Sequence, residues 1–176
     1  MKASTLLAAA LIASSSWAIA AEVDGWEALS KPTHAFSLPD LTGRVLRSSD
    51  LRGKIVVVDF WATWCAPCIK ELPELAAYHA RLAARKDVAL LSLNVMEEKD
   101  VVAKFVAEKK LEFPVYLAES LVGPFEVSTF PTKLIIDMRK PGLKPEAAGI
   151  LRFRKEGASS VPSIEARVAS LLAEKN

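Results

Sequence analysis

Cysteine is scarce: the 176-residue chain holds two, too few for a four-cysteine zinc site or a disulfide-dense scaffold. Histidine is no more plentiful, with His34 and His79 the two available. Seven glycines without a repeat exclude a collagen-like chain, and no period marks a coiled-coil array. No charge of one sign dominates. There are 23 lysines and arginines against 21 acids, a formal net charge of +2, with neither a basic patch nor a basic tail. Nucleic acid is therefore not an expected partner. A Ser/His/Asp set, paired catalytic carboxylates and a glycine-rich phosphate loop are all missing. No series of long apolar runs is present, which excludes a polytopic membrane protein. What is there, 51% hydrophobic and 25% charged residues, suits one globular domain around one core.

Residues 1–20, MKASTLLAAALIASSSWAIA, have the form of a secretory signal peptide. Lys2 supplies the positive start, Leu6 to Ala13 the apolar run, and Ala18 and Ala20 the small residues before cleavage at Ala21. The run is short and serine-interrupted for a membrane span, a retained N-terminal anchor being the alternative. The mature chain is expected in the periplasm, where disulfides persist. Residues 21–35 read as an N-terminal linker and 36–176 as the folded domain.

Lys54 to Trp61 is the clearest strand, with Ile55, Val56, Val57, Val58 and Phe60 in a run suited to burial on both faces. Val88 to Val95 is a second, and Lys133–Asp137 and Ile150–Phe153 are further strands flanking a loop from Met138 to Ala148. Residues His34 to Leu38 alternate like a short edge strand, and Ser48 or Ser49 caps a brief turn to Leu51. Cys65 to Lys86 reads as a helix kinked at Pro73, with Leu72, Leu75, Ala76, His79 and Leu82 at helical spacing. Glu97–Lys110 reads as an amphipathic helix with Val101, Val102, Phe105 and Val106 on one side, and Ser163–Glu174 as the last helix. That order predicts an α/β domain, a mixed sheet covered by helices on both faces.

The chemistry concentrates at Trp64-Cys65-Ala66-Pro67-Cys68. Two cysteines on the first turn of a helix can close a short disulfide, and the helix N-terminus favours a thiolate on Cys65. Pro67 suits that first turn, where its missing N–H costs nothing. Cys65 is the expected attacker of a substrate disulfide, and Cys68 the thiol that resolves the mixed disulfide. The alternatives are an inert stabilising disulfide and half of a metal site. So short a loop removes little chain entropy, however, and a metal would need two more ligands. Asp59, six residues before Cys65 in the most apolar strand, is expected to be poorly solvated, with a raised pKa, and able to exchange a proton with Cys68. The alternative for Asp59 is a strand-end acid reaching solvent. Glu71 lies one helical turn after Cys68, and could equally be a solvated glutamate paired with Lys70. Trp61 reads as core, and His34 and His79 as structural.

The stretch from Val58 to Cys68 resembles the active-site signature of thioredoxin-fold proteins. Within that fold it is most similar to the TlpA-like periplasmic thiol–disulfide oxidoreductases, which include reductases serving cytochrome c maturation. Ala35-Phe-Ser-Leu-Pro-Asp-Leu-Thr-Gly43, Leu51-Arg-Gly-Lys54 and Ile69-Lys-Glu-Leu-Pro73 extend the resemblance, which runs from about Phe36 to the last helix. It implies a thioredoxin fold with an N-terminal strand extension and a cis peptide bond before Pro131, in a loop facing the cysteines. Local chemistry alone fits an ordinary trans proline there. It makes Glu71 an acid that tunes the thiols. Many members carry asparagine where this chain has Asp59, so which acid is the principal proton partner stays open. Trp64, Ala66, Pro67, Phe130 and Pro131 are the implied substrate contacts, Phe130 being bulky for its place. The implied activity is reduction of protein disulfides by a monomer with no bound cofactor or metal, re-reduced by a membrane thiol–disulfide donor. A peroxiredoxin-like peroxidase and a copper chaperone using both thiolates are the other readings.

Overall fold

The computed structural model describes residues 24–139 and 147–174. The export signal read at 1–20 and the middle of the loop read at 138–148 lie outside the described residues. In chain order the elements are β1 (Glu27–His34), β2 (Ser37–Pro39), β3 (Val45–Arg47), one turn of 3-10 helix (Ser48–Leu51), β4 (Ile55–Trp61), α1 (Ala66–Leu82), β5 (Val88–Asn94), α2 (Lys99–Lys109), β6 (Val115–Leu117), α3 (Glu119–Val122), β7 (Thr132–Asp137), β8 (Ala147–Glu156) and α4 (Val161–Ala173).

Six strands form one sheet in the order β1-β8-β7-β4-β5-β6. β4, β5 and β6 run parallel, while β7, β8 and β1 pair antiparallel, so the sheet is mixed as expected. β2 and β3 make a separate hairpin, bridged to the sheet by Asp40 and Tyr116. β4 is buried at every position because both faces are covered. Val56, Val58 and Phe60 pack with Leu38, Leu93, Leu134 and, from α3, Leu121. Ile55 and Val57 pack beneath α1 and α4, against Leu75, Tyr78, Ile164 and Leu171. A continuous apolar run is the pattern such two-sided burial requires.

Several boundaries differ from the sequence expectation. The described part of the stretch read as a linker is an eight-residue strand, β1, paired along β8. Its side chains are mostly exposed, and backbone hydrogen bonds hold it, so apolar alternation gives no sign of it. Pro32 is tolerated because β1 is an edge. β8 starts at Ala147, within the segment read as a loop. α4 starts at Val161, its true cap being Ser160, whose hydroxyl accepts from Ser163 N. α1 runs through Pro73 to Leu82. In α2 only Val102 is fully buried, and Val101, expected on the same side, is exposed.

The β2–β3 turn contains one strongly perturbed acid. Asp40 Oδ1 accepts from Thr42 N and Thr42 Oγ1, both at 2.7 Å, and from Arg44 N at 2.9 Å, while Oδ2 accepts from Arg44 Nε at 3.0 Å. The Thr42 hydroxyl leads in pulling Asp40 down from 3.8 to about 2, and the backbone and Arg44 bonds add to it against the opposing effect of burial. A depressed carboxylate stabilises the fold above its ordinary pKa, and that contribution is lost as pH falls through the folded value. Asp40→Asn is therefore expected to lower the urea midpoint at pH 7. The gap to the parent should close between pH 4 and about 2; a gap of constant size would contradict the assignment.

Candidate active site

Cys65 and Cys68 are joined by a disulfide, with Cα atoms 5.2 Å apart. Cys65 is the N-cap of α1, and its Sγ accepts from Cys68 N at 3.3 Å. The Cys68 amide and the positive end of the helix are thus directed at the Cys65 sulfur. Both cysteines are nearly covered, Cys65 5% and Cys68 2% exposed, in an apolar cluster with Trp61, Leu72, Val102, Phe113 and Val115. Trp61 is core as expected, and its Nε1 donates to Ser92 Oγ at 2.8 Å. Ala66 and Pro67 are exposed on the first turn, and Trp64 is 60% exposed.

The Phe130–Pro131 bond is cis, as the resemblance implied. Thr132 Oγ1 donates to Thr129 O, and Gly157 N donates to Pro131 O, both at 2.8 Å, closing and anchoring the loop. Phe130 packs against the cysteine cluster, and its ring meets that of Trp64 edge-on with centroids 5.7 Å apart. Phe130 and Trp64, 66 positions apart in sequence, thereby bring the loop and the cysteine turn onto one surface.

Asp59 and Glu71 also come together, through a residue that sequence reasoning passed over. Asp59 is directly opposite Lys133 in the β4–β7 ladder. Lys133 Nζ lies 3.1 Å from Asp59 Oδ1 and donates to Glu71 Oε2 at 2.7 Å. Glu71 Oε1 accepts from Ser159 N, the residue before the cap of α4. Asp59 is 2% exposed, and its Oδ1 has no hydrogen-bond partner among the described residues beyond that ion pair. The solitary desolvated acid expected at Asp59 is instead one member of a buried carboxylate–ammonium–carboxylate set. Burial by itself would push the Lys133 ammonium down, but Asp59 and Glu71 outweigh it and its pKa is raised. The available signal was a lysine at one end of a buried strand, KLIID, facing an acid in another, VVVDF.

Glu97 is a second residue missed, having been read as the start of a helix. Its carboxylate accepts from Thr63 N at 2.7 Å, from the Thr63 hydroxyl, and from Asn94 Nδ2 at 2.8 Å. This clamps the turn that delivers Trp64 and Cys65. His79 is half-buried against Phe113, with ring centroids 5.6 Å apart, and burial lowers its pKa. His34 ends β1, exposed.

The AhpC/TSA family model matches residues 29–138. The thiol-disulfide oxidoreductase ResA of Bacillus subtilis is 35% identical over 117 residues, 64% of this chain and 65% of the relative. That of Bacillus cereus is 33% identical over 111 residues, 62% of this chain and 64% of the relative. The match thus spans just under two thirds of each relative's length. Among solved structures, a thiol:disulfide interchange protein, a thioredoxin family protein from Chlorobium tepidum TLS, superposes with a TM-score of 0.68 at 25% identity, covering 84% of this chain and 99% of that one. The mixed sheet with helices on both faces is a thioredoxin fold.

Proposed function

This chain belongs to the AhpC/TSA family, and from that premise we propose that it is an exported thiol–disulfide oxidoreductase that reduces client-protein disulfides. The observation that carries the reading is the Cys65–Cys68 disulfide at the first turn of α1, with the Cys68 amide aimed at the Cys65 sulfur. The Cys65 thiolate attacks a client disulfide, forming Cys65–S–S–client and expelling one client thiolate. Cys68 then attacks the Cys65 sulfur, releasing the second client thiolate and restoring the intramolecular disulfide. Two electrons pass from the dithiol to the client, and a dithiol donor, taken to lie in the membrane, returns them. Asp59 is the better proton partner for Cys68, because the Lys133 ion pair is the one polar contact of its carboxylate among the described residues, while Glu71 accepts from both Lys133 and Ser159 N. Trp64, Ala66, Pro67, Phe130 and Pro131 form the client contact. The resemblance to reductases serving cytochrome c maturation points to exported clients of that kind.

Insulin-disulfide reduction with a regenerating dithiol tests the activity, and equilibration against glutathione tests its direction. Turnover is expected, with a potential of about −200 to −270 mV, where ~30 mV corresponds to ~1.4 kcal/mol. A potential near about −120 mV would reverse the direction. Peroxide consumption without thiol exchange, or stoichiometric Cu(I) binding without it, would replace the reading altogether.

A further inference from the structure

We propose that Lys133 is a positioning residue for the proton chemistry of the cysteine pair: it supplies the single positive charge between two buried carboxylates and keeps Asp59 available to the Cys68 proton. The inference rests on the reading of Cys65 and Cys68 as the exchanging pair.

Lys133 has no exposed side-chain surface, and an ammonium in such a place is costly unless it is paired. The pairing is built from three elements. β4 brings Asp59 across the ladder, α1 brings Glu71 from one turn past Cys68, and β7 carries Lys133 itself. Two neighbouring charged groups are held elsewhere. Lys155 of β8, the ladder partner of Lys133, donates to Asp24 O at 2.6 Å, and Glu74 of α1 accepts from Val161 N at 3.1 Å. Lys133 is thus the cation that touches both acids, and the set of two carboxylates and one ammonium has a net charge of −1.

In the resolving step, Cys68–SH gives its proton to the Asp59 carboxylate and the new thiolate attacks the Cys65 sulfur. The departing client thiolate then takes the proton back from the Asp59 carboxylic acid, so protons balance over the cycle. Without Lys133 two carboxylates would share one buried site at a net charge of −2. Like charges so placed take up a proton as a coupled pair. That proton would occupy the base that Cys68 needs.

The test is Lys133→Met, read as the pH profile from 5 to 9 of two quantities: insulin-disulfide reduction, and iodoacetamide alkylation of the reduced pair. The acid limb of both is expected to move up by about one pH unit, roughly a tenfold loss at pH 6 that shrinks toward pH 9. Lys133→Met/Glu71→Gln restores the net charge of −1 and should move the limb back. If Lys133→Met does not fold, Glu71→Gln alone gives the converse, an Asp59–Lys133 pair of zero net charge whose limb moves down. A profile for Lys133→Met parallel to the parent's at all pH values, an unrescued double variant, or an unmoved Glu71→Gln would each overturn the proposal. Alkylation needs no client, so these outcomes are distinct from failure of the reductase reading, which would appear as no insulin-disulfide reduction by the parent protein while its reduced cysteines still alkylate.

Discussion

Cys65→Ser is expected to leave no insulin-disulfide reduction above the uncatalysed rate, at any pH at which the protein is folded. A serine hydroxyl neither ionises in the accessible range nor forms a bond that a second thiol can resolve, so the cycle cannot begin. Cys68→Ser should fail differently. Its Cys65 remains at the N-cap of α1, under the same helix dipole, and can still attack. With no resolving thiol, the variant accumulates as a mixed disulfide with its client, visible as a mass increase that dithiothreitol reverses. The two variants together assign the order of attack, which the burial of the two cysteines does not decide, since both residues are almost fully covered. Parental turnover in Cys65→Ser would falsify the exchange mechanism. A trapped adduct in Cys65→Ser but not in Cys68→Ser would exchange the two roles.

Local order was legible in the sequence where a segment's own residues decide its environment. The strand at β4 announces itself because seven consecutive positions are buried, and the cysteine turn because Cys65, Pro67 and Cys68 carry their chemistry within one helical turn. β1 was not legible as a sheet member. Of its eight residues Thr33 alone is buried, and an edge held by ladder hydrogen bonds leaves no side-chain signature. Lys133 was read as a strand terminus. Its meaning comes from an acid 74 positions earlier in β4 and another 62 positions earlier in α1, and only the β4–β7 register brings the three together. Glu97 is similar: it stands two residues before α2 begins, and acts on Thr63, 34 positions away. The site is therefore half local and half tertiary. The cysteine pair comes from a motif, and the Asp59–Lys133–Glu71 set from strand pairing and the packing of α1 on it.

Trp61→Ala is expected to cost about 3–5 kcal/mol of folding stability, a large share of the ~5–15 kcal/mol that holds a typical domain together. Trp61 is fully buried where the end of β4 meets the first turn of α1. Its ring packs on Phe105 of α2 at 5.6 Å between centroids, and within the cluster that contains Cys65, Cys68 and Leu72. Truncation opens a cavity on that side and strips the buried Ser92 hydroxyl of its 2.8 Å partner. Trp61→Phe separates the two effects. It retains most of the ring volume and removes the indole donor, so its loss should be about 1–3 kcal/mol, the penalty of an unpartnered buried hydroxyl. Adding Ser92→Ala to Trp61→Phe removes that hydroxyl and should recover part of the loss, a non-additivity expected of residues in contact. Urea unfolding of the oxidised proteins measures all three. A Trp61→Ala loss below about 1 kcal/mol would mean that the cysteine turn is held by α2 and Phe113 instead, because a surface substitution without structural consequence costs no more than that.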